Sequence, residues 1–334
     1  MNTVTTSPRR PQATLAMEPH LVNRLFTPQA LHHLKSLVSL QDTVVSDSGS
    51  TDAELGNTEI LIGGWGCPVL DTDMLARMPL LRSVVYTAGT VKGFATDELF
   101  ARGVDISSGA DTNALPVAEY TLATILLAGK RVFELDAGYR ATENYRPFVR
   151  TPRQWGNYGL TVGIVSASRI GRRVIELLSP FDVNVLVYDP IHTVDGVQNV
   201  ELDYLLEHSD VVSLHAPELP ETHHLMDARA LSLMADGATL INTARGSLVD
   251  DAALLTELHS HRLRAVIDVT DPDVLPPGSP WFGAPNLTLT PHIAGSQGNE
   301  MFRLGDSAVR EVERLVAGLP LKHLVHQAAL HITA

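Results

Sequence analysis

The 334-residue chain has a single cysteine, Cys67, few aromatic residues (5%), a shortage of basic side chains and no apolar run long enough to span a bilayer. Three of these shortages each remove a class of protein. One cysteine builds neither an internal disulfide framework nor a cysteine-based zinc cluster, and it suits a reducing compartment, so a cytoplasmic protein is expected. The longest apolar stretch, Ala114 to Gly129, is interrupted by Glu119 and too short for a membrane span, so it reads as a buried helix. Against 38 Asp and Glu stand only 25 Lys and Arg, a formal charge of −13. That excess repels a phosphate backbone, no basic run offsets it locally, and no nucleic-acid partner is expected. The stretch Met1 to Pro19 is rich in Thr, Ser, Pro and Arg but lacks the apolar core of a secretory signal, and it reads as a mobile extension. Acidic residues are absent before Glu18, which leaves a transit-peptide reading open, although no amphipathic helix accompanies it.

What is present is the make-up of a globular protein, 44% apolar and 19% charged, and too long for one ordinary core. From Leu160 onward, short β-branched runs alternate with helical patterns, as parallel strands joined by crossover helices do. The runs are Leu160 to Val165, Val183 to Tyr188, Asp210 to His215, Ala238 to Asn242, Arg264 to Val269 and Asn286 to Thr290. A smaller alternation precedes them, with strands expected at Glu59 to Ile62, Ser83 to Tyr86 and Val104 to Ser107. Its helices are expected near Pro28 to Leu37, Asp71 to Arg77 and Thr96 to Ala101. Asn113 to Arg131 reads as a connecting helix. A last helix, from about Met301 to Ala317, has no sheet of its own and is expected to return to the first domain. The fold class is therefore α/β, with two Rossmann-like, doubly wound parallel-sheet domains. Residues 113–295 are expected to form the nucleotide domain, and residues 1–112 with 296–334 a discontinuous, flavodoxin-like, substrate-binding domain.

In such a sheet the first strand-to-helix turn carries a pyrophosphate. The turn here is Ser166-Ala167-Ser168-Arg169-Ile170-Gly171, which keeps only the last of the three glycines usual at its first, third and sixth places. Asp189 closes the next strand, where a carboxylate accepts the ribose hydroxyls of NAD and repels the 2′-phosphate of NADP. The serines put a Cβ where backbone normally approaches a phosphate, while their hydroxyls are able to donate to it. A structural turn that has lost its nucleotide is the competing reading.

Three polar groups follow three later strands: Arg245, Asp273 and His292. Parallel strands bring those ends to one edge. A guanidinium holds a carboxylate through two parallel hydrogen bonds, and an imidazole exchanges a proton near neutral pH while a carboxylate steadies its ring. Taken one at a time, Arg245 reads equally as an ion-pair partner of Asp250 or Asp251, His292 as a loop histidine and Asp273 as a solvated acid. As a set they suit hydride transfer to a 2-keto acid.

The segments Asn242-Thr243-Ala244-Arg245-Gly246-Ser247-Leu248-Val249-Asp250, Thr290-Pro291-His292-Ile293-Ala294-Gly295 and Asn113-Ala114-Leu115-Pro116-Val117-Ala118-Glu119 together resemble the D-isomer-specific 2-hydroxyacid dehydrogenases, over about Leu55 to Leu319. The resemblance implies an NAD(H)-linked oxidoreductase acting on a small 2-keto or 2-hydroxy acid, with His292 as acid/base and Arg245 orienting the substrate. It also implies Asp273 in place of the usual glutamate beside the histidine, one methylene shorter. That shortening predicts a longer reach to the imidazole and a lower pH optimum. Cofactor contacts are expected at Ser168, Arg169, Ile170, Asp189, His215, Ala216, Pro217, Thr243, Ala244, Asp268 (at the nicotinamide carboxamide) and Gly295. Substrate contacts are expected at Trp65, Gly66, Gly89 and Thr90, with Trp65 in the pocket rather than capping the first core. A cleft between the two domains and a homodimer through the nucleotide domain are implied as well. No metal is expected, since His32-His33, His223-His224, His323 and His326 come without a carboxylate or cysteine pattern. Two other functions fit the same sheet. One is a non-catalytic NAD-sensing scaffold of the corepressor kind, and the other is a methyltransferase whose adenosyl ribose would sit at Asp189.

Overall fold

In the computed structural model, residues 9–47, 54–143 and 155–330 are described. They divide into two compact units, Met1–Asn113 with Ser296–Ile332, and Ala114–Gly295.

The first unit holds five strands: β1 (Gln12–Ala16), β2 (Ser39–Val45), β3 (Ile60–Gly63), β4 (Ser83–Tyr86) and β5 (Asp105–Ser108). All pair in parallel, in the order β2-β1-β3-β4-β5, the flavodoxin-like arrangement. Its helices are α1 (Val22–Leu25), α2 (Pro28–Leu37), α3 (Thr72–Arg77) and α4 (Asp97–Ala101). Thr27, Asp71 and Thr96 each cap the helix that follows by accepting a backbone N–H.

One sequence expectation is overturned here. The stretch Met1 to Pro19 is not simply an extension, because Gln12–Ala16 is an interior strand bonded to β2 on one side and β3 on the other. Residues 1–8 lie outside the described residues. Strand β2 also escaped the pattern, because four of its seven residues are polar and most of the strand is only partly covered.

Alternation along the strands explains how this sheet is sandwiched. Ala13, Leu15, Ile60 and Ile62 face a core shared with Leu25 and Leu34, while Ala16, Leu61, Val84 and Ile106 face one shared with Leu75 and Leu99. After the second unit the chain supplies α11 (Met301–Val316), whose Met301, Leu304, Ala308 and Val312 complete the first of these cores. Gly305 is obligatory at this contact, because a Cβ there would stand 1.9 Å from the Leu25 carbonyl oxygen.

Helix α5 (Ala110–Gly129) leads into the second unit, followed by α6 (Val132–Thr142). Seven parallel strands follow: β6 (Leu160–Val165), β7 (Val183–Tyr188), β8 (Gln198–Asn199), β9 (Val211–Leu214), β10 (Thr239–Asn242), β11 (Arg264–Ile267) and β12 (Leu287–Leu289). Their order is β12-β11-β10-β9-β6-β7-β8, so the chain winds outward from β6 in both directions and reverses between β6 and β9. Helices α7 (Arg169–Leu178), α8 (Leu202–His208), α9 (Ala228–Leu233) and α10 (Asp251–His259) connect them.

The strands are apolar on both faces because both faces are covered. Val162, Ile164, Ile241 and Val266 pack with Ile125 of α5 and Val174 and Leu178 of α7. Val212, Leu214, Leu240 and Ile267 turn the other way, onto Leu205, Leu231 and Leu254 of α8, α9 and α10. Each such fully buried Leu, Ile or Val contributes about 1.5–3 kcal/mol. The expected α/β class with two doubly wound parallel sheets is thus observed.

Candidate active site

The reversal between β6 and β9 marks where a ligand settles, at the carboxyl ends of the strands. Directly after β6 the chain turns through Ser166, whose φ is +81°, a conformation that suits glycine. Gly171 closes the turn, because a Cβ there would stand 2.1 Å from the Ser166 carbonyl oxygen. Ser168 caps α7, its Oγ accepting from the Gly171 amide at 3.3 Å. The Ile170 amide, at the start of that ten-residue helix, has no carbonyl one turn back to bond, as in the helix N-termini that cradle phosphates.

Asp189, just past β7, holds the turn from the side. Its Oδ2 accepts from the Ala167 amide at 2.7 Å and the Ser166 hydroxyl at 3.2 Å, and its Oδ1 from the Ile191 and His192 amides at 2.9 and 2.8 Å. Partial burial pushes this carboxyl up, but the four hydrogen bonds together hold it below its usual range, and it stays ionised. The Ser166 hydroxyl therefore points at Asp189, not at a phosphate as expected, and its proton is already committed.

His215 follows β9 beside this turn. Its Cβ lies 3.4 Å from where a Gly171 Cβ would stand. The ring is buried, Nε2 is 3.0 Å from the Ser213 hydroxyl, and Nδ1 has no hydrogen-bond partner among the described residues. Burial drives its pKa down from 6.5 to about 3. The next two residues of the expected set, Ala216 and Pro217, continue the chain from the strand end, and the Pro217 carbonyl accepts from the Thr222 hydroxyl at 2.7 Å.

At His215 the unfolded chain takes up a proton near pH 6.5 that the folded chain refuses until about pH 3, so stability is full above 6.5 and falls as pH drops through that window. Each pH unit inside the window costs about 1.4 kcal/mol. Denaturant titrations of wild type and His215→Gln at pH 7 and pH 5 are expected to differ in acid sensitivity by roughly 2 kcal/mol, with the variant the flatter. Equal slopes for the two proteins would show that His215 is not held neutral.

At the end of β10, Asn242 pins the next turn, accepting from the Ala244 amide at 3.0 Å and donating to the Arg245 carbonyl at 2.8 Å. Thr243 shares a hydroxyl contact of 3.1 Å with Thr121 of α5. Arg245 extends from this pinned turn. Its Nη1 donates to the Ala244 carbonyl at 2.6 Å, and its nearest acid is Glu218, 4.0 Å from Nε. The ion-pair reading of Arg245 finds no support in Asp250 or Asp251, which respectively cap α10 at 3.0 Å and accept from the Trp281 indole at 3.0 Å. Gly246 lets the backbones close up, since a Cβ there would fall 2.1 Å from the Thr270 carbonyl carbon. The arginine turn therefore lies directly against the loop that carries Asp273.

After β11, buried Asp268 binds the loop that follows β12. Its Oδ1 accepts from the Thr290 hydroxyl at 2.5 Å and the Ile293 amide at 2.9 Å, and its Oδ2 from the Ala294 amide at 2.9 Å. The Asp268 carbonyl also receives the His292 amide at 2.8 Å. This clamp holds His292 at a φ of +54°, an uncommon backbone state for a residue with a side chain. Gly295 closes the unit just past the clamp. The His292 Nδ1 lies 3.0 and 3.1 Å from the two oxygens of Asp273. The longer reach expected of the shorter carboxylate is therefore not observed, and the pH argument built on it falls. Nε2 carries no partner among the described residues.

In the first unit, the four expected substrate contacts lie past the carboxyl ends of β3 and β4. Trp65 is 41% exposed, so it does not cap the core. Gly66 takes a φ of +80° against Glu18, where a Cβ would meet the Glu18 side chain at 2.7 Å. The Gly89 carbonyl accepts from the Ser108 hydroxyl at 2.6 Å, and the Thr90 hydroxyl accepts from the Lys92 amide at 3.3 Å. The expected surface histidines take ordinary partners: His33 lies 2.6 Å from Glu313, His323 lies 2.7 Å from Asp111, and His223 stacks on His224. Among the described residues, no three His, Cys, Asp or Glu gather as a metal site, and no helix is long and apolar enough to cross a membrane.

Three contributors were missed from sequence: Asn242, Gly246 and Glu218. Asn242 had a readable signal, being a polar residue at the end of a run that must be buried, where a side-chain amide commonly organises a turn. Glu218 had none.

A doubly wound sheet with a tight glycine-closed turn after its first strand, an acid after the second strand and an orphaned buried imidazole nitrogen beside that turn defines a dinucleotide-binding domain. The residues present fit the cofactor, because Gly171 leaves no Cβ at the helix start and the buried His215 Nδ1 beside it has no partner among the described residues. Residues 122–294 match the family model described as D-isomer specific 2-hydroxyacid dehydrogenase, NAD binding domain. The chain is 32% identical over 275 residues to a glyoxylate reductase of Thermofilum pendens, covering 79% of this chain and 80% of that one. It is 32% identical over 257 residues to a D-3-phosphoglycerate dehydrogenase of Mycobacterium leprae, covering 75% of this chain, but it spans only 48% of that relative's length. Among solved structures, a D-lactate dehydrogenase from Aquifex aeolicus, complexed with NAD and lactic acid, superposes with a TM-score of 0.68 at 26% identity, over 92% of this chain and 96% of that one. The chain belongs to the D-isomer specific 2-hydroxyacid dehydrogenase family, and its cofactor is NAD(H).

Proposed function

We propose that the protein interconverts a small 2-keto acid and the corresponding D-2-hydroxy acid with NAD(H), using Arg245, Asp273 and His292. The observation that carries this reading is the His292–Asp273 pair, with both carboxylate oxygens on Nδ1 and Nε2 left free. The nicotinamide supplies or takes the hydride. The chain's residues do the rest. Nε2 of His292 gives the proton to the carbonyl oxygen in reduction and takes it back in oxidation, and Asp273 fixes the tautomer by engaging Nδ1. The Arg245 fork receives the substrate carboxylate, a role supported by its loose hold on Glu218.

Asp189 accepts from the adenosine ribose and disfavours NADPH by charge, and Ser168, Arg169, Ile170, His215, Ala216, Pro217, Thr243, Ala244 and Gly295 border the cofactor. Asp268 takes two roles: it clamps the histidine loop with three of its acceptor sites and offers the remaining one to the carboxamide. Trp65, Gly66, Gly89 and Thr90 are the first unit's substrate contacts. The apolar side chains exposed at Leu127, Val132, Tyr139, Trp155 and Tyr158 support a homodimer through the nucleotide domain. Sedimentation is expected at twice the 36.2 kDa chain mass, and a monomer at micromolar concentration would remove that part of the reading.

The direct test of activity is an NADH-oxidation screen over glyoxylate, pyruvate, hydroxypyruvate and phenylpyruvate. At least one is expected to be turned over. Tight NADH binding with no turnover of any would favour a nucleotide-sensing scaffold instead.

A further inference from the structure

An ionised carboxylate has about four acceptor positions. Asp189 has all four engaged from within the chain, by the amides of Ala167, Ile191 and His192 and by the hydroxyl of Ser166. The three amides belong to the backbone that shapes the two strand ends, and none leaves without opening a turn. The hydroxyl leaves by rotation about one bond. It is also the longest of the four contacts, at 3.2 Å against 2.7 to 2.9 Å for the amides. Ser166 in turn occupies a glycine-like backbone state, at a φ of +81° and largely buried.

We infer that the Ser166 hydroxyl is a built-in competitor of the cofactor's adenosine ribose, holding an Asp189 acceptor position that a ribose hydroxyl must win before the nucleotide seats. This rests on the reading of Asp189 as the ribose acceptor. Ser166 acts through Asp189 and is a positioning residue that sets cofactor affinity. The charge of Asp189 is untouched by these neutral donors, so repulsion of a 2′-phosphate persists while hydrogen bonding to the ribose is weakened. Cofactor choice and cofactor affinity are thereby governed by different parts of the same group.

Two variants of the full chain separate the hydroxyl from the backbone. Ser166→Ala removes the competing donor and keeps the Cβ, and Ser166→Gly also relaxes the backbone. By fluorescence titration, Ser166→Ala is expected to lower the Kd for NADH about threefold and Ser166→Gly about tenfold, the range one neutral hydrogen bond commands. ADP-ribose, which has the adenosine ribose but no nicotinamide, is expected to gain the same factors, whereas NADPH gains less than about twofold because its 2′-hydroxyl is blocked. A purely structural role for Ser166 would move all three ligands together. Unchanged or weaker NADH and ADP-ribose binding in both variants, with wild type binding NADH normally, would overturn the competitor role alone. A wild type that binds neither NADH nor ADP-ribose would overturn the ribose assignment of Asp189 and this inference with it.

Discussion

Replacing His292 with glutamine is expected to lower kcat for 2-keto acid reduction by about 10²–10⁴-fold, the range carried by a positioned general acid. Glutamine keeps a hydrogen-bond donor near the carbonyl oxygen, but an amide N–H does not hand over its proton. The backbone of the loop is set by the Asp268 clamp rather than by the ring, so the substitution leaves the loop and the cofactor turn in place. The Kd for NADH is therefore expected to stay within about twofold of wild type, since the ring's removal breaks none of the bonds that shape the turn after β6. Steady-state kinetics and NADH titration on the same preparations check both halves. A variant that retains wild-type kcat would remove His292 from proton transfer.

The second large effect belongs to Arg245. Lysine preserves the charge but loses the planar fork, and with it the two parallel bonds that fix a carboxylate's orientation. Truncating one side of a desolvated charge pair costs about 2–5 kcal/mol. Arg245→Lys is accordingly expected to lower kcat/KM by about 10²–10³-fold, with NADH affinity unchanged. The arginine's own partners sharpen the expectation. Its Nη1 already donates to the Ala244 carbonyl at 2.6 Å, and the turn beneath it is pinned by Asn242. The guanidinium is thus aimed by its backbone, and a lysine ammonium on the same turn has no equivalent anchor. Kinetics in which KM alone rises, with kcat intact, would mean that Arg245 binds substrate without orienting it for hydride transfer.

The nucleotide domain was legible because its strands are covered on both faces, which writes them as continuous β-branched runs such as Leu160–Val165 and Val183–Tyr188. Strands β1 and β2 were not, for opposite reasons. Gln12–Ala16 is short and sits behind a Pro- and Ser-rich segment with the composition of a tail, while Ser39–Val45 is an edge strand whose exposed residues dilute its pattern. Positions after strand ends were readable from spacing, and the structure does put Arg245, Asp273 and His292 on loops at the carboxyl edge of one sheet. Contacts that depend on backbone angles were not. The His292–Asp273 distance follows from a left-handed residue and a three-bond clamp that no spacing rule reveals. The commitment of the Ser166 hydroxyl to Asp189 likewise depends on a φ that a serine rarely adopts.

The proposed chemistry presents a keto acid's carbonyl to a nicotinamide with a proton donor behind its oxygen and a guanidinium on its carboxylate. Reduction of an accepted keto acid with NADH deuterated on the transferring face of C4 is the decisive experiment, read by the configuration and isotope content of the product. The prediction is a D-2-hydroxy acid with deuterium at C2 and its hydroxyl proton drawn from solvent. A product with protium at C2, or of the L configuration, would contradict it.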